Sequence, residues 1–107
     1  MSEHSYTPWS IETHPADGGT CLTLRGELDA ATAMQLRDHV VATDGGEVHL
    51  DLAGITFMDS SGLAAILEAH RRLADDHRRL VLGARSTAVQ RVLDLSGVTA
   101  HLDLGSR

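Results

Sequence analysis

The spacing of apolar residues along the chain alternates between a period of two and a period near 3.6. Period-two alternation predicts strands at residues 9–14, 21–26 and 47–52, the last with Val48, Leu50 and Leu52 on one side. A short apolar run at residues 80–84 predicts a strand covered on both faces. Residues 101–104 predict a final strand, so five strands are expected in all.

Helical spacing separates the later strands. The first helix is expected to begin at an N-cap, either Asp29 or Thr32, and the second at Asp59 or Ser60. The third helix is expected to end at Gly97, because glycine adopts the left-handed conformation that closes many helices. The residues predicted to face the core are Ala33, Leu36, Val40, Val41, Leu63, Ile66, Leu67, His70, Leu73, Val89, Val92 and Leu93.

The order of these elements is β-β-α-β-α-β-α-β. The first two strands flank glycine-rich turn residues at 16–20, which predicts a hairpin, and the later alternation of helix and strand predicts parallel neighbours. We therefore expect a small single-domain α/β fold, with a mixed, mostly parallel β-sheet packed against α-helices. Residues 1–8 are predicted to be a flexible lead-in and residues 9–107 the domain. The pattern leaves the strand order open.

Composition narrows the classes of function. The formal net charge of the 107 residues is −6 and aromatic residues make up 3%, so neither a phosphate-binding basic patch nor a base-stacking platform is expected. Direct nucleic-acid binding is therefore not predicted. No apolar run approaches the ~20 residues of a membrane span, and the N-terminus lacks the apolar core of a signal peptide. With a single cysteine, Cys21, predicted to be a buried, inert thiol, the expected location is the cytoplasm.

The chain lacks the common motifs of catalysis and cofactor binding. The seven histidines are scattered, and none stands in a metal-binding or nucleophile-elbow motif. A phosphate-binding glycine loop ending in lysine is absent as well. We expect no enzyme activity, no catalytic residue, no metal and no cofactor.

The segment FMDSSGL, residues 57–63, is the strongest candidate for a site. It joins a predicted strand to a predicted helix, and such junctions often carry sites in open α/β sheets. Three interpretations compete for Ser60: a helix cap without further function, a nucleophile, and a phosphoacceptor. A nucleophile needs a base within hydrogen-bond reach, and no triad motif accompanies the serine.

Phosphorylation would turn this junction into a switch. A phosphate brings roughly −1.5 to −2 charges, and a helix N-terminus tolerates an anion, so the fold should survive. The same charge, placed beside Asp59, would oppose a partner surface that fits a neutral hydroxyl. A loss of ~3 kcal/mol weakens binding more than a hundredfold, so no change of fold is needed.

Several motifs together resemble those of STAS-domain anti-sigma-factor antagonists. They are GELD at residues 26–29 followed by Thr32, the block FMDSSGL, and RVLDLSGV at residues 91–98. Each motif alone is weak, but their order is specific, and the resemblance runs from about residue 21 to residue 104.

The resemblance implies a partner-switching function. In that family the unphosphorylated antagonist binds an anti-sigma factor that is also a serine kinase of the histidine-kinase-like ATPase type, and a sigma factor is released. The kinase phosphorylates the serine after the motif aspartate, and a PP2C-type phosphatase restores the active form. By position, Ser60 is the phosphoacceptor, Asp59 helps to present it, and Ser61 and Gly62 shape the turn. Ser61 is the alternative acceptor.

A second segment falls in the family's loop beside the phosphosite. It contributes Glu27, Leu28, Asp29 and Thr32 as expected kinase contacts, although Asp29 and Thr32 are equally explained as caps of the first helix.

The resemblance leaves two matters open. Many family members carry a helix after the last strand, whereas this chain stops soon after Leu104. Some apolar surface is therefore expected to be exposed or covered by a neighbour, and a weak homodimer is one such arrangement. The alternative function within the family is a scaffold or an accessory subunit of a lipid-transport ATPase complex.

Overall fold

The computed structural model describes residues 7–105, the side chain of Ala100 excepted. Most of the predicted lead-in at residues 1–8 therefore lies outside the described residues. The strands are β1 (Ser10–Ala16), β2 (Gly19–Leu28), β3 (Glu47–Met58), β4 (Arg79–Arg85) and β5 (Asp103–Leu104). The helices are α1 (Ala30–Ala42), α2 (Ser60–Asp75) and α3 (Thr87–Ser96), with a short 3₁₀ helix at Thr99–His101.

The five strands form one sheet in the order β1-β2-β3-β4-β5. β1 is antiparallel to β2, and β2 to β5 are parallel, so the predicted mixed sheet is confirmed. Connections between consecutive parallel strands are right-handed, and this places every connecting helix on the same face of the sheet. The three helices therefore share one face. α2 contacts both α1 and α3 there.

The core lies between this face and the helices. Leu22 and Leu24 on β2 and Leu50 and Leu52 on β3 are fully buried, as is Ile66 on α2. The intervening residues of the strands, which include Thr23, His49 and Asp51, face the other side of the sheet and are half-buried. The alternation in the sequence thus separates the core face of the sheet from its polar face.

Two details of the core differ from the predictions. Cys21 was expected to be buried, but it lies half-buried on the polar face, because it alternates with Leu22. Val41 was expected to face the core, but the buried residues of α1 are Ala33, Leu36 and Val40.

The observed strands also differ in length from the predictions; β2, for example, covers residues 19–28 rather than 21–26. The predicted strand at residues 47–52 continues six residues further, to Met58. The predicted final strand at residues 101–104 has only two residues, since His101 belongs to the 3₁₀ helix. No helix in residues 7–105 has the length and apolar character needed to cross a membrane.

Candidate functional site

Ser60 is the first residue of α2, at the carboxyl end of β3, and its side chain is exposed. Of the two predicted N-cap candidates, Asp59 and Ser60, Asp59 is the N-cap. One carboxylate oxygen of Asp59, Oδ1, accepts hydrogen bonds from the backbone N–H groups of Ser61 at 2.9 Å and Gly62 at 3.2 Å. The site therefore presents the Ser60 hydroxyl to solvent on a helix start that its neighbour holds in place.

The hydrogen bonds to Asp59 affect how well the helix N-terminus can bind an anion on Ser60. The free amides of a helix N-terminus usually bind anions. Here two of them already donate to Asp59, so a phosphate on Ser60 would compete with a carboxylate rather than enter an empty cradle. The added charge would stand next to Asp59, where repulsion opposes the attraction of the helix dipole.

Gly62 has a packing role that the sequence did not predict. The sequence suggested that it shapes a tight turn, but a Cβ at this position would lie 2.5 Å from the carbonyl oxygen of Leu28 and 2.9 Å from Cγ of Met58. Contacts that close do not occur for real side chains, so glycine is required here for close packing between α2 and the ends of β2 and β3.

The second predicted segment, which contains Glu27, Leu28, Asp29 and Thr32, lies next to Ser60 because β2 and β3 are neighbouring strands. Glu27 pairs in register with Phe57, and Leu28 with Met58, at the parallel ends of β2 and β3. The backbone N–H of Asp59 donates to the carbonyl oxygen of Leu28 at 3.4 Å. The topology therefore brings the GELD segment, residues 26–29, beside residues 57–60.

Only part of that segment can contact a partner through its side chains. Glu27 is exposed, whereas Leu28 is fully buried, so the prediction of Leu28 as a partner contact is wrong for its side chain. Asp29 and Thr32 form a capping box: Asp29 Oδ1 accepts the N–H of Ala31 at 3.0 Å, and Thr32 Oγ1 accepts the N–H of Asp29 at 3.0 Å. The Thr32 hydroxyl also donates to the carbonyl oxygen of Glu27 at 2.7 Å. Both residues thus fix the start of α1 and its junction with β2.

Sequence reasoning missed three features around Ser60. Phe57, three residues before the serine, is 47% exposed. Met34 on α1 is 60% exposed and lines a groove between α1 and α2 that also contains Ser61. Trp9 and Glu27 line a smaller hollow of about 160 Å³ that also borders Asp29 and Thr32. The available signal for Met34 was an apolar side chain at a position that the helical period places outside the core.

The structure gives the nucleophile interpretation no support. Where side chains of histidines in residues 7–105 have polar partners, these are Glu12, Thr13 and Glu47. A group of three or more His, Cys, Asp or Glu side chains able to hold a metal ion is likewise not found in that range.

Comparisons with known proteins agree with this fold. Residues 12–104 match the family described as "Mlab, STAS domain". The chain is 29% identical over 92 residues to the anti-sigma-B factor antagonist of Staphylococcus epidermidis, covering 83% of this chain and 85% of the relative. It is 30% identical over 92 residues to the anti-sigma F factor antagonist of Paenibacillus polymyxa, covering 82% and 79%.

Solved structures with the same fold include the anti-sigma factor antagonist SpoIIAA in two forms. The unphosphorylated form superposes with a TM-score of 0.74 at 22% identity, covering 92% of this chain and 88% of that chain. The phosphorylated form, a Bacillus protein, has a TM-score of 0.69 at 22% identity, covering 94% and 91%. The names of these relatives describe binding proteins rather than enzymes. The extent of the family match, the identity to the Paenibacillus protein and the shared fold establish that the chain belongs to the STAS domain family.

Proposed function

We propose that this chain is an anti-sigma-factor antagonist that is switched by phosphorylation of Ser60. Its unphosphorylated form binds an anti-sigma factor with serine kinase activity, of the histidine-kinase-like ATPase type, and so frees a sigma factor in the cytoplasm. The observation that carries this proposal is the exposed Ser60 hydroxyl, held at the first position of α2 by the Asp59 cap. The names of the curated relatives support the antagonist function.

The switch needs chemistry from two other proteins. The kinase transfers the γ-phosphoryl group of ATP to Oγ of Ser60, which loses its proton, and ADP leaves. A PP2C-type phosphatase hydrolyses the ester with water and returns the hydroxyl and inorganic phosphate. This chain supplies only the acceptor and the surface around it, so Ser60 is a substrate residue and not a catalytic one.

Electrostatics explain why the modified form would dissociate. A phosphate on Ser60 adds roughly −1.5 to −2 charges beside Asp59, whose Oδ1 already occupies the amides of Ser61 and Gly62. The new charge is therefore poorly neutralised within the chain and faces the partner. Like charges brought together in an interface cost several kcal/mol, enough to weaken binding more than a hundredfold. The SpoIIAA structures support survival of the fold, since both forms superpose on this chain.

Binding and phosphorylation assays with purified anti-sigma kinases from the source organism test the proposal. Wild-type chain and Ser60→Ala should bind one of them, while Ser60→Asp should bind at least about a hundredfold more weakly. Incubation with ATP should add one phosphate, mapped to Ser60 by mass spectrometry, and Ser61→Ala should still be modified. Equal affinities of the alanine and aspartate variants, or phosphate found on Ser61, would overturn the proposal.

A scaffold or an accessory subunit of a lipid-transport ATPase complex is the second candidate. The matched family description names the STAS domain and no sigma factor, which is the observation in its favour. In that case the transporter ATPase, and none of the anti-sigma kinases, should bind, and charge at Ser60 should not release it.

A further inference from the structure

A groove of about 500 Å³ runs between α1 and α2 and begins beside the acceptor serine. Ser61 lines its near end, and Met34, which is 60% exposed, lies along it. The remaining apolar lining consists of small residues, namely Ala30, Ala33, Ala64 and Ala65. Small side chains let another backbone approach closely, and methionine adapts its shape to different neighbours.

The charges on the rim of this groove are already neutralised by their own helices. Arg37 donates from Nε and Nη2 to Oδ1 of Asp38, at 3.0 and 2.9 Å. Glu68 pairs with Arg71 and lies 3.6 Å from Arg72. A charged ligand would gain little from such paired groups. The groove therefore suits an apolar occupant with a polar border.

A protein that reaches Ser60 must also cover this groove if it docks on the helical side. A standard interface buries about 800 Å² on each partner, equivalent to a disc of about 16 Å radius. Ala64 and Glu68 lie one and two turns beyond Ser60 on α2, so Glu68 is only about 12 Å away along the helix axis. The whole apolar floor thus falls within reach of a kinase centred on the acceptor.

We propose that the groove between α1 and α2 receives the apolar face of an amphipathic helix of the anti-sigma kinase. Met34 and Ala64 then act as specificity-determining contacts: the exposed methionine contacts the incoming helix, and the alanine leaves room for it. This inference rests on the proposed function, since it names the part of the kinase that docks beside Ser60. It adds an attachment point that phosphorylation of Ser60 does not itself alter.

Two matched pairs of variants test the groove against the kinase that binds the wild-type chain. Ala64→Glu places a charge in the groove, whereas Ala74→Glu makes the same change at an exposed position in the last turn of α2, outside the groove. Met34→Ala removes the exposed wall, whereas Gln35→Ala truncates its exposed neighbour. Titration calorimetry should give a loss of about thirtyfold or more for Ala64→Glu and about fivefold for Met34→Ala. Both controls should stay within about twofold of wild type, and thermal unfolding should confirm that all four variants fold.

The other possible results would overturn either the groove proposal alone or the proposed function as well. If the two groove variants bind like wild type while Ser60→Asp binds weakly, the groove proposal fails and the phosphoswitch stands. If Ala74→Glu weakens binding as much as Ala64→Glu, the effect comes from charge in general and the groove proposal fails. If no anti-sigma kinase binds, or Ser60→Asp binds as tightly as Ser60→Ala, the proposed function fails and the groove proposal fails with it.

Discussion

The α-carbon of Gly62 packs against the carbonyl oxygen of Leu28, so closely that a Cβ would lie 2.5 Å from that oxygen. The same carbonyl accepts the backbone N–H of Asp59 at 3.4 Å. The end of β2 and the first turn of α2 are therefore joined at one point, close to Ser60. The position of Ser60 relative to residues 26–29 depends on this contact.

Gly62→Ala should lower the free energy of unfolding by about 1–3 kcal/mol, because the new methyl group forces α2 away from a backbone atom that cannot yield easily. Urea denaturation measures the change. Gly46→Ala is the matched control, since a Cβ there would have nothing within 4 Å, and its stability should stay unchanged or rise by up to about 1 kcal/mol. Equal stabilities of the two variants would contradict the packing explanation.

Asp59→Ala should cost about 1–2 kcal/mol of stability, because the N–H groups of Ser61 and Gly62 lose their acceptor. Asp59→Asn should stay within about 0.5 kcal/mol of wild type, since asparagine caps helices as well as aspartate does. Chemical denaturation of the three proteins checks this. A stability of Asp59→Asn as low as that of Asp59→Ala would mean that the charge of Asp59, and not its cap, stabilises the helix.

The regular parts of the fold were predictable because apolar residues recur at a fixed period along each strand or helix. The positions of Val48, Leu50 and Leu52 follow from simple alternation, and all three are buried. The extension of β3 beyond Leu52 was not predicted, because the buried positions then shift to Ile55 and Met58. Pairing of β3 with β2 is irregular in the same stretch, and such bulges break the period of two that marks a strand.

The site, like the fold, was predictable only in part. Local chemistry limited the cap of α2 to Asp59 or Ser60, and the structure shows that it is Asp59. The burial of Leu28 was missed, although the alternation from Leu22 and Leu24 extends to it and was an available signal. The close packing of Gly62 could not be predicted, because it depends on how two segments more than thirty residues apart approach each other.

Cys21 should react slowly with iodoacetamide. Burial and then the negative charge of Asp51 raise the pKa of its thiol, and a hydrogen bond with Thr23 lowers it in part. Since only the thiolate reacts, the alkylation rate should rise with pH around a midpoint above that of free cysteine. Asp51→Asn should move this midpoint to lower pH but not all the way, because burial remains; Asp38→Asn, the same change on α1, should not move it.

The same shift predicts a pH dependence of stability. The folded thiol holds its proton more strongly than the unfolded one. Its contribution to stability is therefore complete below the ordinary pKa of a thiol and is lost as the pH rises through the raised value. Denaturation of wild type and Cys21→Ser at several pH values should give a stability difference that changes only in this alkaline range. A difference that is constant with pH would contradict the raised pKa.

The effect of charge at Ser60 should depend on its neighbour. In the wild-type background, Ser60→Asp should change the free energy of unfolding by less than about 0.5 kcal/mol, because the attraction of the α2 dipole and the repulsion from Asp59 oppose each other. In the Asp59→Asn background the repulsion is gone, and Ser60→Asp should stabilise by about 0.3–1 kcal/mol. A double-mutant cycle by urea denaturation measures the difference, which should shrink in 1 M salt, where the Debye length is about 3 Å. If Ser60→Asp has the same effect in both backgrounds, Asp59 does not oppose charge on its neighbour, and the repulsion that the proposed switch invokes must come from the partner alone.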